Sequence, residues 1–307
     1  MKKLLLLFTL ATLTLRAVEQ NPYDQSDVPL EVDAPNAKLT KIVILAGSVS
    51  NKPGHHEYFA GSALLMKWLK QTPGVWPVMA REGWPKNEKI FEGAKAVVYY
   101  GDGGGKQPFL DPARWQVLKN LVEKNHAGFV LLHQAVDFPE AQADEIKSWL
   151  GGVWTKDIGC RGHWPMEFKN IPEHAITRGV KPVLIADGEG WLYNLRFEEK
   201  ITPLLAAPVP DNSRSTDDAK SHVGRDEVIA WAYERPDGGR AFANTGCHLH
   251  KNWSLESQRK FVVNGILWAA KVEVPDGGAR IDFSPDDLNR HLDDKRAATP
   301  AAATIPK

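Results

Sequence analysis

The chain has 307 residues, of which 43% are hydrophobic and 25% are charged, a balance typical of a soluble globular protein with a sizeable core. Its 38 basic and 38 acidic residues give a formal net charge of zero. No excess of charge is therefore available to attract nucleic acid or an anionic membrane surface, and we expect neither as a partner.

The first residues have the features of an export signal. Lys2 and Lys3 give a positive start, residues 4–15 form an apolar run, and Ala17 offers a small residue for cleavage. The run is too short to span a membrane comfortably. We expect residues 1–17 to be a signal peptide and the protein to be periplasmic or secreted. The alternative is a cytosolic protein with an apolar N-terminal helix.

Three short apolar runs predict strands that are covered on both faces of a sheet, at residues 41–46, 94–100 and 128–133. Apolar residues at helical spacing follow each run. They predict three helices, one at 60–69, one that begins after a cap at Asp111–Pro112, and one at 141–150. Strands and helices that alternate in this way are typical of βαβ units with a parallel sheet. The sequence therefore predicts an α/β fold with helices on both faces of the sheet.

The second half of the chain has a different pattern. Residues 151–225 hold short extended pieces, and the polar stretch 211–225 is expected to be a mobile surface loop. The segments 228–233 and 240–245 predict a strand pair joined by a Pro-Asp-Gly-Gly turn. Ser254 is expected to cap a last helix with an apolar stripe.

The chain is predicted to contain one domain, and it shows no internal repeat. We place this α/β domain at residues 39–274, after a polar leader or linker at 18–38. From Pro275 onward the chain is charged and rich in Pro and Ala, so 275–307 is expected to be a flexible tail.

Imidazole groups lie near the ends of several predicted strands. They belong to His55 and His56 after the first strand, His133 at the end of the third, His163 in a Gly/Trp-rich loop, and His248 and His250 after the last strand. The carboxyl ends of parallel strands meet at one edge of a sheet, where open α/β sheets bind their ligands. In extended conformation His248 and His250 would share one face. We therefore expect these side chains to line one pocket.

Imidazole and carboxylate groups together suit two kinds of chemistry. They match divalent metals such as zinc or manganese, for which His56, His133 and His248 are the candidate ligands. They can also act without metal as general acid and base on a carbohydrate, and the candidate catalytic residues are His133, His248, His56 and Glu57. No compact ligand motif such as HExxH is present, so both alternatives stay open.

Two other features have competing interpretations. Residues 101–106 (GDGGGK) resemble a phosphate loop, but Tyr100 stands where the first Gly is needed, so a turn at a strand end is favoured. Cys160 and Cys247 are the two cysteines, and each has a His nearby in sequence. Buried free thiols, a disulfide and a shared zinc site are all compatible with this spacing.

A series of motifs in a fixed order resembles the trehalose-utilisation ThuA-like family. The motifs are KPGHHEYFAG (52–61), GFVLLH (128–133), GGVW (151–154), RGHWPMEF (161–168), EHAITRGV (173–180), DGEGWLY (187–193), GRAFANTGCHLHKNW (239–253) and NGILWA (264–269). The resemblance covers residues 40–272.

The resemblance implies a flavodoxin-like three-layer sandwich with a mostly parallel central sheet, related to class I glutamine amidotransferases. It does not imply their chemistry, because His133 stands where those enzymes carry a Cys nucleophile. By position, the polar pocket of the family corresponds to His56, Glu57, His133, His163, Glu189 and His248.

The family is linked to the breakdown of trehalose and related disaccharides, and the resemblance implies action on 3-keto-glycosides made by a partner sugar dehydrogenase. A ketone at C3 acidifies the C2 proton, so a His or Glu base can remove it and start elimination of the glycosidic bond. The residues expected to bind the sugar are His163, Trp164, Glu189, Tyr193, His250, Asn252 and Trp253. The competing classes are a non-catalytic carbohydrate-binding accessory module and a hydrolase of another periplasmic substrate.

Overall fold

Residues 21–295 are described by the computed structural model, so the predicted signal peptide lies outside the described residues. Its strands are β1 (Thr40–Ala46), β2 (Val75–Ala80), β3 (Ala96–Tyr100), β4 (Gly128–Leu132), β5 (Gly152–Val153), β6 (Cys160–Phe168), β7 (Val183–Tyr193), β8 (Arg196–Phe197), β9 (Thr202–Pro208), β10 (Asp226–Glu234) and β11 (Arg240–Asn244). Its α-helices are α1 (Tyr58–Leu69), α2 (Pro112–Lys119), α3 (Glu140–Leu150), α4 (Asp217–Lys220) and α5 (Glu256–Ala269). Within the described part of the chain, no helix has the length and apolar character to cross a membrane.

The central sheet has seven strands in the order β2-β1-β3-β4-β11-β10-β9. The first five of these are mutually parallel, and β10 is antiparallel to both of its neighbours. The order of the five parallel strands is the flavodoxin-like order 2-1-3-4-5. The predicted fold, a mostly parallel α/β sheet of this type, is confirmed.

Alternate residues of each strand enter two separate hydrophobic cores. Ile42 and Ile44 of β1 pack into one core with residues of α1 and α5. Val43 and Leu45 pack into the other with residues of α2 and α3. Because a strand directs successive side chains to opposite faces, a continuous apolar run is required where helices cover both faces. This arrangement is the predicted three-layer sandwich.

The predicted elements have the expected types. The Asp111 side chain caps α2 by accepting hydrogen bonds from the amides of Ala113 and Arg114. The expected Ser254 cap is wrong, because Leu255 holds the cap position of α5 and Ser254 ends a short 3-10 helix. The segment 211–225 is not a bare loop. It contains α4, and the buried Arg214 guanidinium lies 2.5 Å from a carboxylate oxygen of Glu227, in the neighbouring strand β10.

Two small antiparallel pairs accompany the sheet. Strand β6 pairs with β7 and β5 pairs with β8. The β6–β7 hairpin packs on the face that carries α1 and α5, where Phe168, Ile185 and Trp191 join the core. Its register places His163 opposite Gly190, so the hairpin brings an imidazole to the edge of the sheet.

Both ends of the described chain lie against the domain. In the leader, Leu30 forms a bridge with Met79 of β2. In the C-terminal part, the amide of Leu292 donates to the carbonyl of Pro22, and Lys295 is buried. The expected flexible tail therefore does not begin at Pro275. Residues 275–295 pack on the domain because they carry buried side chains that the polar composition of the segment does not reveal.

Candidate functional site

The polar side chains converge at the carboxyl edge of the parallel strands. His133 directly follows β4, and His248 lies four residues beyond the end of β11. His56 lies in the loop between β1 and α1. Since β1, β4 and β11 run in the same direction, the topology brings the three histidines to one place. We call His56, His133 and His248 the histidine triad.

Three ring nitrogens of the triad form a small triangle. Nε2 of His56 lies 2.8 Å from Nδ1 of His248 and 3.0 Å from Nε2 of His133. The distance from Nδ1 of His248 to Nε2 of His133 is 3.0 Å. All three residues are buried. Three imidazoles therefore direct one nitrogen each toward a common point.

The outer nitrogens of two triad residues determine which tautomer is present. Nδ1 of His133 donates to the carbonyl oxygen of Thr245 at 3.0 Å. Nδ1 of His56 donates to a carboxylate oxygen of Asp102 at 3.1 Å. A neutral imidazole carries one proton, so the Nε2 atom of each residue presents a lone pair to the triangle. Converging lone pairs repel each other unless a proton or a cation lies between them.

The electrostatic environment favours the neutral form of two triad residues, His133 and His248. Burial, together with the neighbouring imidazoles of His56 and His248, holds the pKa of His133 well below its ordinary value. Burial, followed by the effect of His56 and His163, lowers the pKa of His248 to about 3. Burial tends to raise the pKa of Asp102, but hydrogen bonds from His56, Tyr58 and Ser50 outweigh it, so the pKa is lowered. An ionised carboxylate thus pairs with His56, while His133 and His248 are held in the neutral form.

This geometry fits a divalent metal ion. Two nitrogens bound to one zinc ion at about 2.0–2.1 Å lie roughly 3.3 Å apart in tetrahedral geometry and roughly 2.9 Å apart at a right angle. The triad separations of 2.8–3.0 Å are near the lower figure. Metal-binding histidines also donate their second ring N–H to a carboxylate or carbonyl, as His56 and His133 do here. The described residues contain no other group of three His, Cys, Asp or Glu side chains with this closeness.

The backbone is strained where the triad is built. His56 has φ of +49° and His133 has φ of +60°, and Cys247, which precedes His248, has φ of +74°. Non-glycine residues rarely adopt this left-handed region, and such strain tends to concentrate at functional sites. The surrounding structure therefore holds two triad residues in a backbone conformation that is unfavourable for non-glycine residues.

A solvent-accessible pocket adjoins the triad. Its volume is about 560 Å³, and its wall contains Asn51, Lys52, His55, His163, Trp164, Pro165, Asp187, Gly188, Glu189, His248 and Leu249. His248 belongs to both the triad and the pocket. On its pocket side, Nε2 of His248 lies 2.6 Å from Nδ1 of His55 and 3.2 Å from Nε2 of His163. Burial is the main cause that lowers the pKa of His55 to about 4 and also lowers that of His163.

Glu189 shapes the His248 loop. One of its carboxylate oxygens accepts hydrogen bonds from the amides of Gly190, His248 and Leu249 at 2.8–3.0 Å, and the other accepts one from Asn252 at 2.8 Å. Its burial raises its pKa to about 7, although these hydrogen bonds oppose the shift. The Asn252 side-chain amide also donates to the carbonyl of Gly188 at 3.1 Å, in the pocket wall. The two residues therefore support the loop that carries His248.

Glu57, a predicted catalytic residue, points elsewhere. Its carboxylate accepts hydrogen bonds from the amides of Gly54 and Asp293 and lies 3.1 Å from the ammonium of Lys295. The side chain is 1% exposed. Both oxygens of this carboxylate are thus bound by backbone amides or by Lys295. The Glu57 carboxylate is therefore not free to act as the predicted catalytic acid or base.

Besides Asn252, three of the predicted sugar-binding residues lie outside the pocket. The Tyr193 hydroxyl pairs with Ser213, and Trp253 is buried against the rings of Trp68 and Tyr100. His250 lines a second cavity of about 520 Å³ next to the C-terminal segment. The predicted shared face of His248 and His250 is wrong, because a 3-10 helix begins at His250 and ends the extended spacing.

Two residues of the site have roles that the sequence pattern did not predict. His55 lies among the predicted pocket histidines, but no particular role follows from its position in sequence. The pattern assigns Asp102 only to a glycine-rich turn, yet it follows the carboxyl end of β3 as His133 follows β4. That shared position at a strand end is the signal that could have identified Asp102.

The two cysteines take no part in the site. Both are free and buried. The Cys247 sulfur lies near the amides of Asn244 and Gln258, and the Cys160 sulfur lies near the hydroxyls of Ser215 and Thr216. Of the three alternatives left by the sequence, the structure has the buried free thiols.

Comparison with known proteins agrees with the fold. A ThuA-like protein from Bacteroides uniformis has a TM-score of 0.55 at 14% identity, covering 77% of this chain and 94% of that protein. A ThuA-like protein from Parabacteroides merdae has a TM-score of 0.53 at 16% identity, covering 82% and 99%. The glutaminase domain of Trypanosoma brucei CTPS is less similar, with a TM-score of 0.40 at 10% identity over 80% of this chain and 100% of that domain.

A search of curated proteins finds no match to this chain. The sequence profile of the ThuA family, described as trehalose utilisation, matches residues 41–269. That range contains the central sheet apart from Thr40, the first residue of β1, together with all three triad residues and the pocket. The chain belongs to the ThuA trehalose-utilisation family.

Proposed function

We propose that this protein is a carbohydrate-processing enzyme that cleaves the glycosidic bond of 3-keto-glycosides with base assistance. The observation that carries the proposal is His248, whose ring joins the buried triad on one side and the pocket imidazoles on the other. Membership of a trehalose-utilisation family supports a sugar as the substrate class.

The pocket has properties that suit a sugar of this kind. Its volume of about 560 Å³ is within the range of small-molecule sites. Trp164 offers an aromatic surface for a sugar ring, while Asn51 and Asp187 offer groups that bind hydroxyls. Since no Ser or Cys lies among the lining residues, acyl transfer through a Ser or Cys nucleophile is not favoured.

Proton transfer by imidazoles accounts for the chemistry. A ketone at C3 acidifies the C2–H bond, and the ring nitrogen of His163 or His55 accepts that proton as the C2 electron pair becomes an enediolate. The pair then forms the C1–C2 double bond, and the bond between C1 and the glycosidic oxygen breaks. The leaving oxygen takes up the proton that the imidazole removed from C2, which returns that imidazole to its neutral form. Water then adds to the enone to give the free 3-keto sugar.

The triad would hold a divalent metal ion, zinc or manganese, beside this pocket. Such an ion supplies Lewis-acid stabilisation of the negative charge that develops on the ketone oxygen. The chain's own contribution is to orient the ligands. Asp102 and the carbonyl of Thr245 hold the outer N–H groups of His56 and His133, so that a lone pair of each faces inward.

The test is incubation of the purified protein with a 3-keto-disaccharide and with its unoxidised parent, with and without added zinc or manganese. We expect release of monosaccharide from the 3-keto compound alone. Deuterium at C2 should slow the reaction where proton removal limits the rate. His163→Gln should reduce the rate by about 100-fold or more, as expected for loss of a general base or acid. His126→Asn, at the opposite edge of the sheet just before β4, is the matched control.

The alternative is a non-catalytic accessory module that binds sugar. Binding of disaccharides by the purified protein, with every 3-keto-glycoside left intact under all metal conditions, would establish that alternative and overturn the enzyme proposal.

We further propose that the protein is exported and acts outside the cytoplasm. The support is the charged start, apolar run and small residue within positions 2–17. Sequencing of the mature N-terminus and cell fractionation test this. A mature protein that retains Met1 in the cytosol would contradict it.

A further inference from the structure

The C-terminal segment reaches the candidate site from beyond the family domain. The family profile ends at residue 269, but residues 285–295 return to the loop that precedes α1. We call residues 285–295 the C-terminal clasp. It begins with a 3-10 helix at Pro285–Asn289 that is capped by the side chain of Ser284.

The clasp is anchored along its length. Both carboxylate oxygens of Asp287 lie 2.7 Å from the ammonium of Lys67 in α1. The side-chain amide of Gln25 donates to the carbonyls of His291 and Leu292. The segment is therefore held by α1 on one side and by the leader on the other.

Lys295 ends the clasp as a buried charge. Its side chain is 1% exposed, and its ammonium lies 3.1 Å from the carboxylate of Glu57, which is buried to the same extent. A buried ammonium is costly unless it is paired and fully hydrogen-bonded. Its remaining N–H groups point to the carbonyls of His55 and of His56, the latter at 3.2 Å. Lys295 thus binds three consecutive residues of one loop.

That loop supplies two of the imidazoles at the site. His56 is a triad member, and His55 lies 2.6 Å from His248 in the pocket wall. The positive φ of His56 carries a strain that only surrounding contacts can maintain. The two carbonyls held by Lys295 lie on either side of the Cα of this strained residue. Within the clasp, the Lys295 ammonium is the group that donates hydrogen bonds to these two carbonyls.

We propose that the C-terminal clasp supports the candidate site and that Lys295 is the residue that positions the loop of His55 and His56. By holding the carbonyls of His55 and His56 and the carboxylate of Glu57, it sets the loop conformation in which His56 faces His133 and His248. The consequence for metal affinity rests on the metal site proposed above, whereas the consequence for loop order does not.

The experiment uses the full chain with Lys295→Met, Lys295→Arg and Glu57→Gln. Lys220→Met, at an exposed lysine of α4, is the matched control. Cobalt(II) serves as the metal probe, because its visible spectrum reports ligand geometry. Hydrogen exchange of the amides of residues 50–58 reports loop order without any metal. Thermal unfolding is recorded for each variant so that all measurements are made well below its Tm.

We expect Lys295→Met to weaken cobalt binding by about 10- to 100-fold, as is usual for groups that support metal ligands, and to change the cobalt spectrum. Amide exchange over residues 50–58 should become faster. Lys295→Arg should restore part of both properties, since it keeps the charge and the donors. Lys220→Met should change neither.

Unchanged exchange and unchanged cobalt affinity in Lys295→Met, even with a lower Tm, would overturn the proposal and leave Lys295 a stabilising residue only. If Lys295→Met does not fold, Glu57→Gln takes its place, because it removes the ion pair and keeps the side-chain shape. If the wild-type protein binds no cobalt, the metal proposal fails. The proposal that Lys295 positions the loop is then tested by amide exchange over residues 50–58 alone.

Discussion

At the scale of single residues, His248 connects the two halves of the site. Its Nδ1 faces the triad and its Nε2 faces His55 and His163 in the pocket. Glu189 fixes the backbone that carries this ring by accepting the amides of His248 and Leu249. One imidazole therefore contacts both the buried triad and the accessible pocket histidines.

Asp102 provides the first residue-scale prediction. Its carboxylate accepts the Nδ1–H of His56 and so presents Nε2 of that ring to the triad. We expect Asp102→Asn to weaken zinc or manganese binding by about 10- to 100-fold with the fold intact. Isothermal titration calorimetry measures the affinity. Asp111→Asn, at the cap of α2, is the control, and equal affinities for the two variants would count against a role for Asp102.

Asp293 gives a prediction about pH. Burial and the nearby carboxylate of Glu57 raise the pKa of Asp293 to about 6, from 3.8. The folded state thus binds this proton more tightly than the unfolded chain, so the group makes the wild type less stable as the pH rises from 3.8 to 6. Asp293→Asn removes that loss. The gain in stability of the variant over the wild type should increase across this range by at most about 3 kcal/mol.

Urea unfolding at several pH values, in the presence of a chelator, measures this difference. A gain that is the same at pH 4 and pH 7 would show that the Asp293 carboxyl is not perturbed in the folded protein.

At the scale of elements, the site is an edge of the sheet completed by a hairpin. The parallel strands β1, β3, β4 and β11 deliver His56, Asp102, His133 and His248 from their carboxyl ends. The β6–β7 hairpin adds His163 from the side. These strands pack into the two hydrophobic cores and the hairpin shares the first of them, so the imidazoles are presented from rigid supports.

Gly190 in β7 tests the closeness of the hairpin to the triad. A Cβ at this position would lie 2.7 Å from Cγ of His248 and 3.1 Å from Nε2 of His163. Gly190→Ala should displace the His248 ring, abolish metal binding and cost about 1–3 kcal/mol of stability. Gly277→Ala, where a Cβ would meet nothing within 4 Å, is the control. Metal titration and thermal unfolding of the two variants check this, and normal metal affinity in Gly190→Ala would contradict it.

At the scale of the whole molecule, metal binding and folding should be linked. The triad comes from three loops that are 77 and 115 residues apart in sequence, so it exists only in the folded chain. A ligand that binds only the folded state stabilises it by about 2.7 kcal/mol at 100 times its Kd. Zinc should therefore raise the Tm and a chelator should lower it. His133→Ala should remove this response in calorimetry, and a persisting zinc-dependent Tm would place the metal elsewhere.

The sequence by itself determined the fold class and the edge of the sheet that carries the site. Continuous apolar runs such as 41–46 and 128–133 indicate strands that are buried on both faces. Apolar residues at helical spacing between these runs indicate the crossover helices. These signals are local, because they depend on the period of the backbone. For the same reason the residues at strand ends, such as His133, can be identified from the amino-acid pattern alone.

Only the tertiary structure decided what each polar group does. Glu57 and His56 are adjacent in sequence, yet one carboxylate binds Lys295 while the other side chain joins the triad. The strand-end position of Asp102 does not reveal its role, and Lys295 carried no local signal, since their roles depend on partners that are 46 and 239 residues away. Composition made the end of the chain resemble a free tail, but burial of Lys295 depends on a carboxylate and carbonyls that the folded domain assembles for it. Side-chain direction and long-range pairing are set by packing, and packing cannot be read from local periodicity.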